Sequence, residues 1–238
     1  MKTDHFEGKS VLEHLKAARA KGAMAAAEIH GTEMPGHLAA GADAARDTAV
    51  SLILLWILFP SQPTLYFLFA SGLFLWKFGR SALLGWARLE RLHRVIEEER
   101  WEIEHQREQE REELAAMYQA KGLTGKLLDE VVTVMMADDN RLLHIMLEEE
   151  MGLALEVYEH PLKQSLGAGV GVILASALFA GGYFLFSPIV ATALTVIIAA
   201  ILVAKLERNR RIEAVIWNLS VTALVAGAVY FLKLMIPL

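Results

Sequence analysis

Apolar residues in this chain gather in long runs, with a polar stretch at 87–158 between the second run and the third. The first run, 49–59, carries no charge and ends at Pro60. It is too short to cross about 30 Å of hydrocarbon. A full span must therefore reach back and take in Asp43, Arg46 and Asp47. A second run at about 64–86 carries Lys77 and Arg80, whose stems can reach toward Arg88, Arg91 and Arg94 at the interface. Three more runs follow, at about 162–186, 188–204 and 212–236. Two tight turns without Lys or Arg, 61–63 and 187–188, separate paired runs. Basic residues cluster at Arg80–Arg94, Lys163 and Lys205–Arg211, which puts those ends on the cytoplasmic side. Lys233, at the opposite end of the last run, is the exception.

The expected fold is all-α: an integral membrane protein of five transmembrane helices, with a cytoplasmic three-helix acidic insert between spans 2 and 3. The expected division is 1–36, a cytoplasmic N-terminal segment; 37–86, spans 1 and 2; 87–158, the insert; and 159–238, spans 3–5. In the first segment Ser10 can cap a helix over about 11–29, and Pro35-Gly36 breaks it. His5, His14, His30 and His37 lie in or beside this part and read as solvated histidines, with metal binding the less favoured use. The second span is expected to continue as a helix through the acidic stretch, since no Pro or Gly interrupts it before Gly122. Thr124 can cap a second insert helix at about 125–137, and Asp138 or Asp139 a third at about 140–151, ended by Gly152. Gly167, Gly169 and Gly171 suit close helix packing in the third span.

Composition agrees with the pattern. Hydrophobic residues make up 55% of the 238, above the roughly 45–50% usual for soluble domains. There is no cysteine, which excludes disulfides and thiolate metal sites. A net charge of −5 argues against nucleic acid. The polar start MKTDHFEGKS lacks the apolar core of a signal peptide.

The acidic stretch from Glu97 to Glu113 holds nine glutamates. On a straight helix Glu99, Glu102, Glu110 and Glu113 fall within roughly 80° of one another. Such a row repels itself unless it binds a cation, or unless it is simply a solvated stalk. Carboxylates suit Mn²⁺, Fe²⁺ and, less selectively, Zn²⁺. Because Glu99 and Glu113 would lie about 21 Å apart, two pairs are expected, Glu99/Glu102 and Glu110/Glu113, each completed from another helix. Met146 and Glu150, at i,i+4 on the third insert helix, can serve, and a thioether favours Fe²⁺ over Mg²⁺ or Ca²⁺. In the membrane, Asp43 and Asp47 are either functional ionisable groups or interfacial ones, with Arg46 pairing to Asp43. No nucleophile–base constellation or phosphate loop is present. The Glu-x-x-His pattern of di-iron oxidases occurs once, as Glu102-x2-His105. An enzyme is not expected.

The insert resembles that of the vacuolar iron transporter family. Glu99-x2-Glu102-x7-Glu110-x2-Glu113, followed by Met117-Tyr118 and Gly122-Leu123, is similar to its metal-binding helix. Met146-Leu-Glu-Glu-Glu150-Met-Gly152-Leu is similar to its M-x3-E-L-G-L ending, and His160-Pro161 to its linker into the third span. The resemblance implies metal ligands at Glu99, Glu102, Glu110, Glu113, Met146 and Glu150, and an aspartate in the first span, Asp43 or Asp47, on the transport pathway. Leu147 stands where the family has a second methionine. Phe74-Leu-Trp-Lys77-Phe-Gly-Arg80 stands where it has a small-residue, Met-containing segment ending in Gly-Glu. The family exports Fe²⁺ or Mn²⁺ from the cytoplasm in exchange for protons, as a homodimer with its pathway between subunits. Export of that kind, across a bacterial inner membrane or a eukaryotic vacuole-like membrane, is the expectation here. The alternatives are a membrane protein that buffers or senses metal through the insert without transport, and a structural scaffold.

Overall fold

The computed structural model describes residues 10–26, 35–153 and 159–236. His5 and His30 lie outside these. Among the described residues the chain is helical without strands, and it divides into two compact units.

The first unit holds α2 (Gly36–Leu58), the beginning of α3 (Pro63–His105), α7 (Pro161–Leu185), α8 (Pro188–Leu206) and α9 (Arg211–Met235). The apolar runs of the sequence become these helices, to within a residue or two at most ends. α3, α7, α8 and α9 are long and apolar enough to cross a membrane. α2 does not meet the same composition, because every stretch of 18 residues within it contains Asp43, Arg46 and Asp47. α2 packs against α7, α8 and α9. Two glycines set its approach to α7. A Cβ on Gly167 would lie 1.9 Å from the His37 carbonyl oxygen, and one on Gly171 would lie 2.1 Å from that of Gly41. This is close backbone packing of the small-x3-small kind. Gly169 points elsewhere, to the Phe74 ring at 3.0 Å. α3 is held through side chains: Leu73 and Phe74 pack on the cluster of Ala40, Ala44, Ala168 and Val172, and Tyr66 stacks edge-on to Phe179 and Tyr183. Many other apolar side chains of α9 and of the first part of α3, among them Leu75, Trp76, Trp217 and Phe231, are exposed. Lys233, the exception to the charge pattern, donates to the Ile57 carbonyl at 2.6 Å, satisfying one of the orphan acceptors at the end of α2.

The second unit combines α1 (Val11–Ala26), the end of α3, α4 (Arg107–Ala120), α5 (Gly125–Met135), α6 (Asp139–Ile145) and a π-helical turn at Met146–Glu150. Ser10 and Glu13 form a capping box at the start of α1, with Ser10 N–H donating to Glu13 at 3.0 Å. Asp138 caps α6 by accepting from the Arg141 N–H at 2.8 Å. Thr124 occupies the cap position of α5, but its side chain makes no capping bond. Gly122 and Gly152 take positive φ, at 96° and 69°, where the chain leaves α4 and the π turn. The core is built from Leu92, Val95, Ile103, Leu114, Met117, Leu142, Met146 and Leu147 with their neighbours.

The expected unbroken helix through the acidic stretch is corrected. α3 ends at His105, Gln106 leaves helical geometry at φ −127° and ψ 31°, and α4 begins at Arg107. No breaker residue causes this. Tertiary contacts do: Ile103 before the break and Leu114 after it both enter the same core. Arg107 donates to Asp139 at 2.6 Å and to the Met136 carbonyl at 2.5 Å. The third insert helix is corrected too, since its last turn is π rather than α, closed by Met151 N–H on the Met146 carbonyl.

Candidate metal centre

The break at Gln106 reshapes the acidic face. On a straight helix Glu110 would stand about 12 Å along the axis from Glu102. Here carboxylate oxygens of Glu99, Glu102 and Glu110 lie within 4.8 Å of one another. A second group draws one ligand atom each from His14, Glu113 and Glu150, again within 4.8 Å. The expected pair of Glu99 and Glu102 stays together and Glu110 joins it, while Glu113 groups with Glu150 and His14 rather than with Glu110 alone.

Burial makes these groups unusual. Glu99 and Glu150 are 1% exposed, Glu110 and Glu113 0%. Carboxylates are almost never buried to this degree without compensation. Desolvation pushes the Glu110 carboxyl up to about 10, and the charges of Glu99, Glu113, Glu150 and Glu102 add to it. At neutral pH Glu110 therefore carries a proton. A divalent cation brought among these oxygens would neutralise the repulsion that holds the proton there.

His14 is the residue that sequence reading missed. Its Nε2 lies 3.2 Å from Glu113 Oε1 and 3.9 Å from Glu150 Oε1. The helix spacing shows how it gets there. His14, Ala18 and Gly22 recur at i,i+4 on one face of α1. Ala18 is buried in the core, and a Cβ on Gly22 would lie 2.2 Å from the Met151 carbonyl oxygen. The small residues let α1 lie close, and His14 continues the same face. That stripe was the available signal. His37, the other described histidine of the N-terminal set, binds Glu159 at 2.6 Å. Met146 is fully buried in the apolar core, at the start of the turn that ends at Glu150. His105 stacks on Trp101 at 4.6 Å between centroids.

Asp43 and Asp47 sit in the other unit. Asp43 pairs with Arg46, which also donates to Asn218 Oδ1 at 3.1 Å. Asp47 pairs with Lys77 of α3, so Lys77 turns to a carboxylate rather than only toward the interface. All four charged groups line one cavity of about 680 Å³.

The sequence model of the VIT family matches residues 85–233. The chain belongs to the vacuolar iron transporter (VIT) family. This VIT chain is accordingly an integral membrane protein of a family that moves metal ions across membranes. The match takes in both glutamate groups from α3 onward and the three helices that follow the insert. No curated protein and no solved structure is significantly similar to the chain.

Proposed function

We propose that this VIT protein exports Fe²⁺ or Mn²⁺ from the cytoplasm by proton antiport, collecting the ion on its acidic insert. The observation that carries the reading is the convergence of buried Glu99 and Glu110 with half-buried Glu102, beside a second group of His14, Glu113 and Glu150. An all-oxygen group next to one with an imidazole nitrogen suits borderline divalent ions better than Mg²⁺ or Ca²⁺. Met146, four residues before Glu150 on the same π-helical turn, is a further soft donor. A metal entering at Glu110 displaces a proton. In this reading α2 is the first of five spans, the insert is cytoplasmic, residues 37–86 and 159–238 form the membrane part, and two copies form the working transporter. Asp43 or Asp47 takes the ion, or its exchanged proton, within the bilayer. The test is Mn²⁺ binding by the purified protein, wild type against Glu110→Ala/Glu113→Ala. The double variant should lose most of the binding, and unchanged binding would remove the insert from the mechanism.

The second reading, a membrane protein that buffers or senses metal without moving it, is favoured by the ion pairs of Asp43 with Arg46 and of Asp47 with Lys77.

A further inference from the structure

The membrane unit holds a set of charges that the insert does not explain. Asp43 and Asp47 of α2 face Arg46 of the same helix and Lys77 of α3 across one cavity, whose wall includes Trp76 and Asn218. A second cavity of about 360 Å³ shares Asp43, Asp47 and Lys77 and adds Arg80. Ionised groups at this depth are costly and persist where they have work to do. The two basic residues differ in how they are tied. Arg46 is one turn from Asp43 and is also bonded to Asn218, so its planar fork is fixed at two points. Lys77 comes from a different helix, on a flexible stem, and ends in a compact charge. Its partner is accessible: the Asp47 side chain is 57% exposed, against 19% for Lys77.

We propose that Lys77 is a tethered cation that fills the cation position at Asp47, so that its ammonium and a free divalent cation are alternative occupants of this cavity. The two carboxylates already face Arg46 and Lys77, with Arg80 on the wall of the second cavity, so no negative charge is left uncompensated. A divalent ion added without movement of Lys77 leaves at least two uncompensated positive charges in a low-dielectric setting. Swinging Lys77 away vacates Asp47, and its stem has the reach to carry the charge toward the polar edge of the bilayer. Lys77 thereby sets the affinity of the membrane site and keeps it closed to ions until one arrives at sufficient concentration. The inference rests on the reading that a metal ion enters the membrane unit.

The experiment uses the full-length protein in detergent with Glu99, Glu102, Glu110, Glu113 and Glu150 replaced by Gln, and Mn²⁺ as the probe, counted by electron paramagnetic resonance. Lys77 is compared with Lys77→Met, Lys77→Gln and Lys77→Arg. Lys77→Met and Lys77→Gln should each gain one Mn²⁺ per chain, bound at least about tenfold tighter than in the Lys77 parent, within the usual range for coupled occupants. Lys77→Arg should gain none, and Asp47→Asn added to Lys77→Met should abolish the gained ion. If one neutral variant fails to fold, the other decides. Binding by both neutral variants equal to the parent, or a gained ion that survives Asp47→Asn, overturns the proposal. Protein with its insert glutamates intact is measured alongside. Absence of Mn²⁺ binding there refutes the insert reading, while the comparison at Lys77 still decides the role of that residue.

Discussion

Replacing Glu110 by Gln keeps the size of the side chain and removes its charge. The group is fully buried, with oxygens of Glu99 and Glu102 within 4.8 Å. At that separation and an effective dielectric constant of about 20, two ionised carboxylates repel by about 3 kcal/mol. Linkage gives the same scale by a separate route. An ordinary glutamate, at 4.5, is ionised at pH 7 in the unfolded chain, whereas folding raises Glu110 to about 10 and forces it to take up a proton. Holding that proton at pH 7 costs about 3 kcal/mol. Glu110→Gln escapes the cost, so the metal-free variant should be more stable than wild type by about that amount. With metal the sign reverses: a lost charged ligand of about 3 kcal/mol weakens binding about a hundredfold. Thermal unfolding followed by tryptophan fluorescence, in chelator and in a Mn²⁺ series, reads both effects. A less stable metal-free variant, or an undiminished Mn²⁺-induced rise in its unfolding temperature, would refute the reasoning.

Other outcomes follow from the same geometry. Because folding raises the pKa of Glu110, the native state holds more protons than the unfolded one between pH 4.5 and about 10, so metal-free stability should fall as pH rises through that window while Mn²⁺ affinity climbs; a pH series of unfolding and binding measurements checks both slopes. His14→Ala should remove the histidine-nitrogen modulation from the spin echo of bound Mn²⁺ and leave an all-oxygen signal, and an unchanged modulation would exclude His14 as a ligand. Gly171→Ala drives a Cβ into the Gly41 carbonyl and should destabilise the membrane unit by about 1–3 kcal/mol. Gly181→Ala, whose Cβ meets nothing within 4 Å, should be neutral or mildly stabilising in the same unfolding assay, by up to about 1 kcal/mol.

The helices after the insert were legible in the sequence because long apolar runs, Pro-containing turns and basic ends are local signals that all point the same way. The acidic face was legible as a need for compensation, but its partners were not. Gln106 is an ordinary helix former, and the break there comes from Ile103, Arg107 and Leu114 finding contacts far along the chain. A straight helix holds Glu110 about 12 Å along the axis from Glu102, so the straight-helix estimate paired Glu99 with Glu102 but did not bring Glu110 to them. His14 lies about a hundred residues before Glu113 on a helix with little amphipathic contrast, and only the small stripe of Ala18 and Gly22 marks its inward face. Lys77 looked like an interfacial residue, since its pairing with Asp47 depends on how two separate helices are turned.

The most direct test of the central claim is metal flux in liposomes containing the purified protein, with a pH indicator inside. Proton-coupled export predicts that Fe²⁺ or Mn²⁺ added at the insert side enters the lumen while the lumen turns alkaline, and that Glu99→Gln/Glu110→Gln/Glu113→Gln slows entry at low metal. Folded protein that binds the metal on its insert yet shows neither metal entry nor a change in internal pH would contradict transport and leave buffering or sensing as the function.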